Sequence, residues 1–474
     1  MVLFSINKKH KTDFICKGMI LSEILLAGAI ISFALGSAIV VVGGVQSMLV
    51  SVQNGFEAQL LARQEISLAH LVAFDDLVSF EKTDGFFTTV FSVSSRNDFS
   101  TNILADVFWH EGLFQKHRSL SDQVVDWEHA FGSIDCDWLD NANGHLSAVN
   151  IGALDVDYGN VITGVAALGD FVYVSTDGAT AVLPDLYVVD VQDIQNPRIV
   201  GYLNTGPGIA SIAAAGHYVF AANAGSYQMQ IIDVVDPFGP TLVAQAKLPG
   251  AVISGSSGFG QAVHFFDDKM YIGLVKNAGP ELYIVDVGDP RLPIALGSYE
   301  IGGTVNDIDV QSGRAIVVAP GQPSVFLLDT SNSSEISEID NVTFTGWQTQ
   351  GAKSVEMLGS AVSVGRTLGG FYSPNAEYVL LNRDSINSTS AGLKIGASVE
   401  DILGFNDYLY LTTSDAETAF QILHNVAPSA SPNPPVSVMT AALSSRGVAL
   451  TCNSKAMYVV TQNDRDFFHV FSLP

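Results

Sequence analysis

Leu186-Tyr187-Val188-Val189-Asp190 is an apolar run of strand length closed by an acid, and the chain repeats it as Met229-Gln230-Ile231-Ile232-Asp233, Leu282-Tyr283-Ile284-Val285-Asp286 and Val325-Phe326-Leu327-Leu328-Asp329. Weaker copies begin at Tyr378, Phe420 and Phe467, with Asn382 and His424 where the acid stood. Successive starts are 43, 53, 43, 53, 42 and 47 residues apart. A second marker, a turn then a strand, is centred on Tyr173, Phe220, Tyr271, Val317, Ser363, Tyr410 and Tyr458. An earlier strand in each unit holds Val165, Ile212, Val263, Ile308, Val355, Ile402 or Val448. Repeats of roughly 40–50 residues made of strands alone predict a β-propeller with four-stranded blades. Seven units predict seven blades.

The seventh unit has only three recognisable strands before Pro474. Residues 145–157 match outer-strand segments such as Ile199–Gly206, so they are expected to supply the last blade's outer strand, closing a ring over 145–474 and removing an exposed edge. Closure draws the residues just upstream towards blade seven. Cys136 and Cys452 are then either a disulfide clasping the two ends or two isolated buried thiols; the third cysteine is Cys16. The wording of 186–201 and 282–297 resembles the LVIVD-type repeat of bacterial surface propellers, from which later blades have drifted.

The N-terminal part has another texture. Lys8, Lys9, Lys11 and Lys17 stand against Asp13 ahead of Gly18, and the apolar run that follows carries no charge but Glu23 until Glu57. This basic leader is expected to stay cytoplasmic while the run enters the bilayer. A glycine at the leader's end, a large apolar residue next and a carboxylate at the fifth position beyond it resemble the class III signal of type IV prepilins and pseudopilins. The resemblance implies cleavage between Gly18 and Met19 by a prepilin peptidase, N-methylation of Met19, and Glu23 as the assembly residue, its carboxylate paired with a Met19 amine in register. Met19 stands where that family most often has Phe, and Ile20-Leu21-Ser22 where Thr-Leu-Ile is common. An uncut signal anchor with one tolerated Glu is the other reading.

The apolar run over 19–52 exceeds the ~20 residues a bilayer needs. Beyond it Phe56, Leu60, Leu61, Leu68 and Leu71 recur at helical spacing, predicting one helix from 19 to 74, about 80 Å long. Residues 75–144 read as a small β cap and linker, with strands over 86–93 and 117–127 and Trp127 as a core anchor. That order resembles pilin-like proteins in which a short sheet docks on the helix. The expected fold class is therefore a long N-terminal pilin-type α-helix with a small β cap, followed by an all-β seven-bladed β-propeller, and the domains are 1–18, 19–74, 75–144 and 145–474.

A net charge of −26 excludes nucleic acid as a natural partner. No nucleotide-binding, zinc-protease, Cys-x-x-Cys or nucleophile-elbow motif occurs, and an Asp-x-Asp-x-Asp-Gly loop is missing, so no metal, cofactor or catalytic residue is assigned. His217, His264, His424 and His469 fall in different repeats and read as surface turns. The acids Asp190, Asp233, Asp286 and Asp329 read as strand-end residues bonding local backbone. Gly-, Ser- and Pro-rich stretches over 249–260, 330–340 and 427–435 read as face loops, where binding resides.

The functional expectation is a type IV pilin-like subunit, not an enzyme, that displays its propeller for adhesion or partner binding. Its partners are the prepilin peptidase, other pilin subunits through the helix, the inner membrane before assembly, and an unnamed surface protein or glycan. The expected location is the cytoplasmic membrane before assembly and the pilus or cell surface after it. A pseudopilin or uncleaved anchored propeller of a secretion or envelope complex is the alternative, and an extracellular propeller enzyme the third.

Overall fold

A computed structural model describes residues 26, 29–33, 35, 50–66, 68–69, 77–94, 100–111, 114–125, 136–142, 144–156, 159–178, 182–321, 323–344, 351–368, 376–424 and 435–474. Gly18, Met19, Glu23 and Trp127 lie outside them. The chain divides into two compact units, Met1–Val124 and Val125–Pro474.

In the first unit, strands β1 (Phe80–Asp84), β2 (Phe87–Ser94), β3 (Ser100–Glu111) and β4 (Phe114–Val125) form one sheet in chain order. Alternate residues Phe87 and Phe91 of β2 and Ile103, Ala105 and Val107 of β3 share a core with Ala58, Ala62, Ile66 and Ala69. Two sequence expectations need correction here. The long N-terminal helix is not found: the described chain is nearly all β, in eight four-stranded sheets, and its longest helical run is 50–66. Among the described residues no helix is long and apolar enough to cross a membrane. The buried stripe also differs. Small residues let the helix approach the sheet closely, so Ala58 and Ala62 face it, while Phe56, Leu60 and Leu68 are exposed.

In the second unit β5 (Ser147–Val149) precedes seven sets of strands. Blade one is β6 (Ile162–Leu168), β7 (Phe171–Thr176), β8 (Leu186–Asp190) and β9 (Arg198–Leu203). Blade two is β10 (Ile209–Ala215), β11 (Tyr218–Asn223), β12 (Met229–Asp233) and β13 (Thr241–Ala246). Blade three is β14 (Gly260–Phe266), β15 (Lys269–Leu274), β16 (Leu282–Asp286) and β17 (Ile294–Tyr299). Blade four is β18 (Asp307–Gln311), β19 (Arg314–Val318), β20 (Val325–Asp329) and β21 (Ser337–Val342), so part of the stretch read as a loop over 330–340 is strand. Blade five is β22 (Ala352–Leu358), β23 (Ala361–Arg366), β24 (Tyr378–Asn382) and β25 (Ser385–Leu393). Blade six is β26 (Val399–Phe405), β27 (Tyr408–Thr413), β28 (Phe420–His424) and β29 (Val436–Ala441). Blade seven is β30 (Gly447–Cys452), β31 (Met457–Thr461) and β32 (Phe468–Ser472), completed by β5.

Pairing within the blades is antiparallel, and Val149, Ala148 and Ser147 oppose Val470, Phe471 and Ser472. The inner strands β6, β10, β14, β18, β22, β26 and β30 neighbour one another in turn, and β30 returns to β6. This is a closed seven-bladed propeller.

Seven apolar cores lie between the blades rather than inside any one of them. In β8, Leu186 and Val188 pack towards blade two while Tyr187 and Val189 pack towards blade seven. A strand buried on both faces has no polar face to alternate with, which is why the repeated run is continuously apolar. Outer strands, with solvent beside them, alternate or expose most side chains, as β13 does.

Adjacent blades also touch at the rim. At Gly201 in β9 an added Cβ would collide with the Pro237 carbonyl oxygen of blade two, and at Gly297 in β17 with that of Ser333 in blade four. Both obstacles are backbone and cannot swing aside. Gly201→Ala is expected to cost about 1–3 kcal/mol, read as a lower denaturation midpoint, whereas Gly152→Ala, whose Cβ meets nothing within 4 Å, should leave it unchanged.

Candidate functional site

The propeller has two loop faces, and its polar residues serve them differently. On the first face are the turns joining first to second strands and the loops joining third to outer strands, linked by Val191 N to Asp170 O at 2.9 Å, Val234 N to His217 O at 2.9 Å and Val287 N to Asp268 O at 2.9 Å. The recurring acids begin these loops. Asp190, Asp233, Asp286 and Asp329 each accept the backbone N–H two residues on, at 2.9, 2.9, 2.9 and 3.0 Å. Asn382 does the same for Asp384 N at 2.8 Å, so the amide that replaced the acid keeps its role. Three residues later the turn is made again: Asp193, Asp236, Asp289 and Asn332 accept from Gln195, Phe238, Arg291 and Ser334. Two Asx turns in tandem fold each of these loops onto itself.

The second face joins second to third strands and outer strands to the next blade. The residue directly before the third strand is buried and polar in five blades, as Asp185, Gln228, Glu281, Ser324 and Glu377, and in all but the Ser324 blade it bonds the segment beyond the outer strand, a pattern the sequence reading missed although it sits beside the repeated pentapeptide. Asp185 accepts Thr205 N at 2.7 Å and Thr205 Oγ1 at 2.9 Å; Gln228 Oε1 accepts Leu248 N at 3.0 Å. Glu281 Oε2 accepts Ile301 N at 3.1 Å and Gly302 N at 2.9 Å, while its Oε1 takes Lys276 Nζ at 2.9 Å. Glu377 Oε2 accepts Ile395 N at 2.9 Å. Each therefore clamps the chain as it leaves the outer strand of its own blade. Burial pushes the Asp185 carboxyl up, against the pull of its Thr205 bonds. This face also carries the exposed apolar residues Val182, Tyr227, Val252, Ile253 and Leu368, with Lys247 Nζ 5.3 Å from the Tyr227 ring.

At the ring axis a third polar set occupies the inner strands: Asp307 and Asp309 on β18, Glu356 on β22, Asp401 on β26, with His264 Nε2 3.6 Å from Asp309 Oδ1. Burial lowers the His264 pKa, partly offset by Asp309.

Of the four histidines read as surface turns, only His217 is in one. His264 is on an inner strand, His424 ends β28 against Tyr408 at 4.6 Å between ring centroids, and His469 in β32 has Nε2 3.1 Å from Ser444 Oγ. Among the described residues no three His, Cys, Asp or Glu stand where they could hold a metal ion.

Cys136 and Cys452 are joined by a disulfide, with Cα atoms 5.9 Å apart across 316 residues. Cys136 precedes a 3-10 turn, Asp137–Asn141, whose Leu139 packs into the core between blades six and seven. Trp138 Nε1 donates to Asn453 O at 2.7 Å, and Asn453 Nδ2 to Gly169 O of blade one at 2.8 Å. The clasp thus binds the strand that completes blade seven to the seam where the ring closes.

No family model and no curated protein matches this chain. Among solved structures it is similar to BamB from Moraxella catarrhalis, at 14% identity and TM-score 0.44 over 70% of this chain and 94% of that one. It is also similar to a protein described as a putative 6-phosphogluconolactonase from Bacteroides uniformis, at 13% identity and TM-score 0.48 over 59% and 85%. Saccharomyces cerevisiae Sqt1 matches at 9% and 0.48 over 69% and 100%. The assignment of the fold rests on the sheet order and ring closure above.

Two outcomes follow for this site. Replacing both Cys136 and Cys452 by Ala should lower unfolding stability by about 2–4 kcal/mol, and an unchanged denaturant midpoint would contradict the clasp. Asp286→Asn should be near neutral, since the amide oxygen can accept the same turn bond, while Asp286→Ala should cost about 1 kcal/mol; equal losses in both would show that the charge itself is needed.

Proposed function

We propose that this chain is an exported, non-enzymatic binding propeller, a type IV pilin-like subunit delivered by a prepilin-type signal and displayed outside the cell. The observation that carries the export reading is the Cys136–Cys452 bond, because disulfides persist in oxidising compartments and are rare in the cytosol. The route is supplied by the sequence. A prepilin peptidase cutting between Gly18 and Met19 leaves Glu23 at the fifth mature position, and the apolar run after it is held in the inner membrane before assembly with other pilin subunits.

The non-enzymatic reading is supported by how the acids are used. Asp190, Asp233, Asp286 and Asp329 close turns, and Asp185, Glu281 and Glu377 hold backbone N–H groups, so these carboxylates are already engaged. The second face is the better candidate for a surface protein or glycan. Its loops include the long segment 247–259 and expose Val252 and Ile253, whereas several loops of the first face are folded tightly by their paired turns. The acidic net charge turns the molecule away from nucleic acid.

Intact N-terminal mass spectrometry of the membrane-extracted protein, wild type beside Gly18→Ala, tests the route. A wild-type chain beginning at N-methylated Met19, with the substituted chain retaining the leader, is expected. A wild-type chain beginning at Met1 would replace the pilin pathway with an uncut anchored propeller.

A further inference from the structure

Three successive inner strands carry carboxylates that reach over a blade seam to the backbone of the next inner strand. Asp307 Oδ2 accepts from Val355 N at 2.8 Å, and Asp309 Oδ2 from Met357 N, joining blades four and five. Glu356 Oε1 accepts from Gly404 N at 3.1 Å, joining five and six, and Asp401 Oδ2 from Leu450 N at 2.9 Å, joining six and seven. The opposite side of the ring is built differently. Between blades one and two the seam is crossed by the Thr163 hydroxyl, donating to Ile209 O at 2.6 Å, and β6 and β10 contain no acid or base.

Few cations meet these four carboxylates. His264 of β14 stands 3.6 Å from Asp309, and Lys353 of β22 is paired with Glu400 of β26. On the second strands packed behind them, Lys269 is bonded to Asp267 beside Tyr271, and Arg314 to Asp384. Arg366 lies over Phe344 and donates to Ala376 O, and β27 offers Tyr408 and Tyr410. Arg383, from the loop after β24, donates to Gln311 Oε1 at 3.0 Å. β30 itself brings no acid or base. Asp307, Glu356 and Asp401 are half-buried, yet the strands packed around them remove much of their hydration, and the loss of hydration is the larger effect. Burial first, then neighbouring carboxylates, hold Asp307 and Glu356 well above the ordinary carboxylate range, and burial pushes Asp401 up to about 6.

We propose that the inner ring from blade four to blade seven is a proton-dependent clasp, in which clustered, cation-poor carboxyls bonded across the seams hold the blades together while they keep their protons, and loss of those protons loosens them by mutual repulsion. A protonated carboxyl is neutral and no longer repels its neighbours, yet it keeps an oxygen that accepts the backbone N–H. The direction with pH follows from the raised values. The folded ring keeps protons that an opened chain releases, so the contribution to stability is full below about pH 4, and falls as pH rises from there through about 6 for Asp401. This inference is independent of the export route.

Hydrogen exchange of the full-length wild-type protein at pH 5.5, 6.5 and 7.5, corrected for intrinsic rates, tests it. Protection in β22, β26 and β30 should fall with rising pH, by about tenfold per pH unit where opening releases one proton, while β10 stays constant and serves as the internal control. Glu356→Gln keeps an oxygen for Gly404 N and removes one charge, so it should flatten that slope and raise the denaturation midpoint at pH 7.5. Protection independent of pH, or lost equally in β10, would overturn the proposal. If Glu356→Gln does not fold, the wild-type profile decides alone.

Discussion

The second unit depends on closure of its ring. The middle strands are buried on both faces and mostly apolar, so each blade needs a neighbour on either side, and an open ring would leave two such faces in water. Tyr458 and Val460 of β31 and Val172 and Val174 of β7 meet in one core only because blade seven is brought against blade one. What completes blade seven is a strand from the other end of the unit, β5 paired with β32, with the Cys136–Cys452 bond fixing the segment that delivers it. A disulfide spanning so long a loop acts mainly by restricting the unfolded chain. It adds permanence where three strand residues alone would give little.

Around this constraint the polar residues fall into three concentric roles. At the rim and on the first face, Asx turns set the loops that lean on the preceding blade, and Gly201 and Gly297 let them come close. On the second face, buried Asp185, Gln228, Glu281 and Glu377 fix the exit of the outer strand. At the axis, Asp307, Asp309, Glu356 and Asp401 join the inner strands. Each buried acid meets N–H groups that would otherwise lack partners, which offsets the cost of its own burial. A frame held this way presents its loops rigidly, which suits recognition: little conformational freedom remains to be lost when a partner binds.

The propeller was legible because double-sided burial writes itself as continuous apolar runs at a steady interval, starting from Leu186–Asp190. Drift in the later blades obscured the acid but not the run, and Asn382 still makes the turn bond. The residues that clamp the second face were hidden for a different reason. Asp185, Gln228, Glu281 and Glu377 vary in identity, and their shared task lies in reaching a segment about 18 to 20 residues away. His264 was misplaced because a histidine in a strand and one in a turn look alike without the register. The N-terminal helix was misread through size. Phe56, Leu60 and Leu68 recur at the right spacing, yet Ala58, Ala62 and Ala69 pack on the sheet, since helical spacing alone does not say which of two stripes is covered.

The export reading, and the clasp that holds the ring's ends together, rest most directly on the Cys136–Cys452 link, and peptide mass mapping of the protein under non-reducing conditions measures it. The account predicts one linked pair of peptides carrying these two residues, released into separate masses by reduction. Recovery of both thiols free and alkylatable in the folded protein would contradict it.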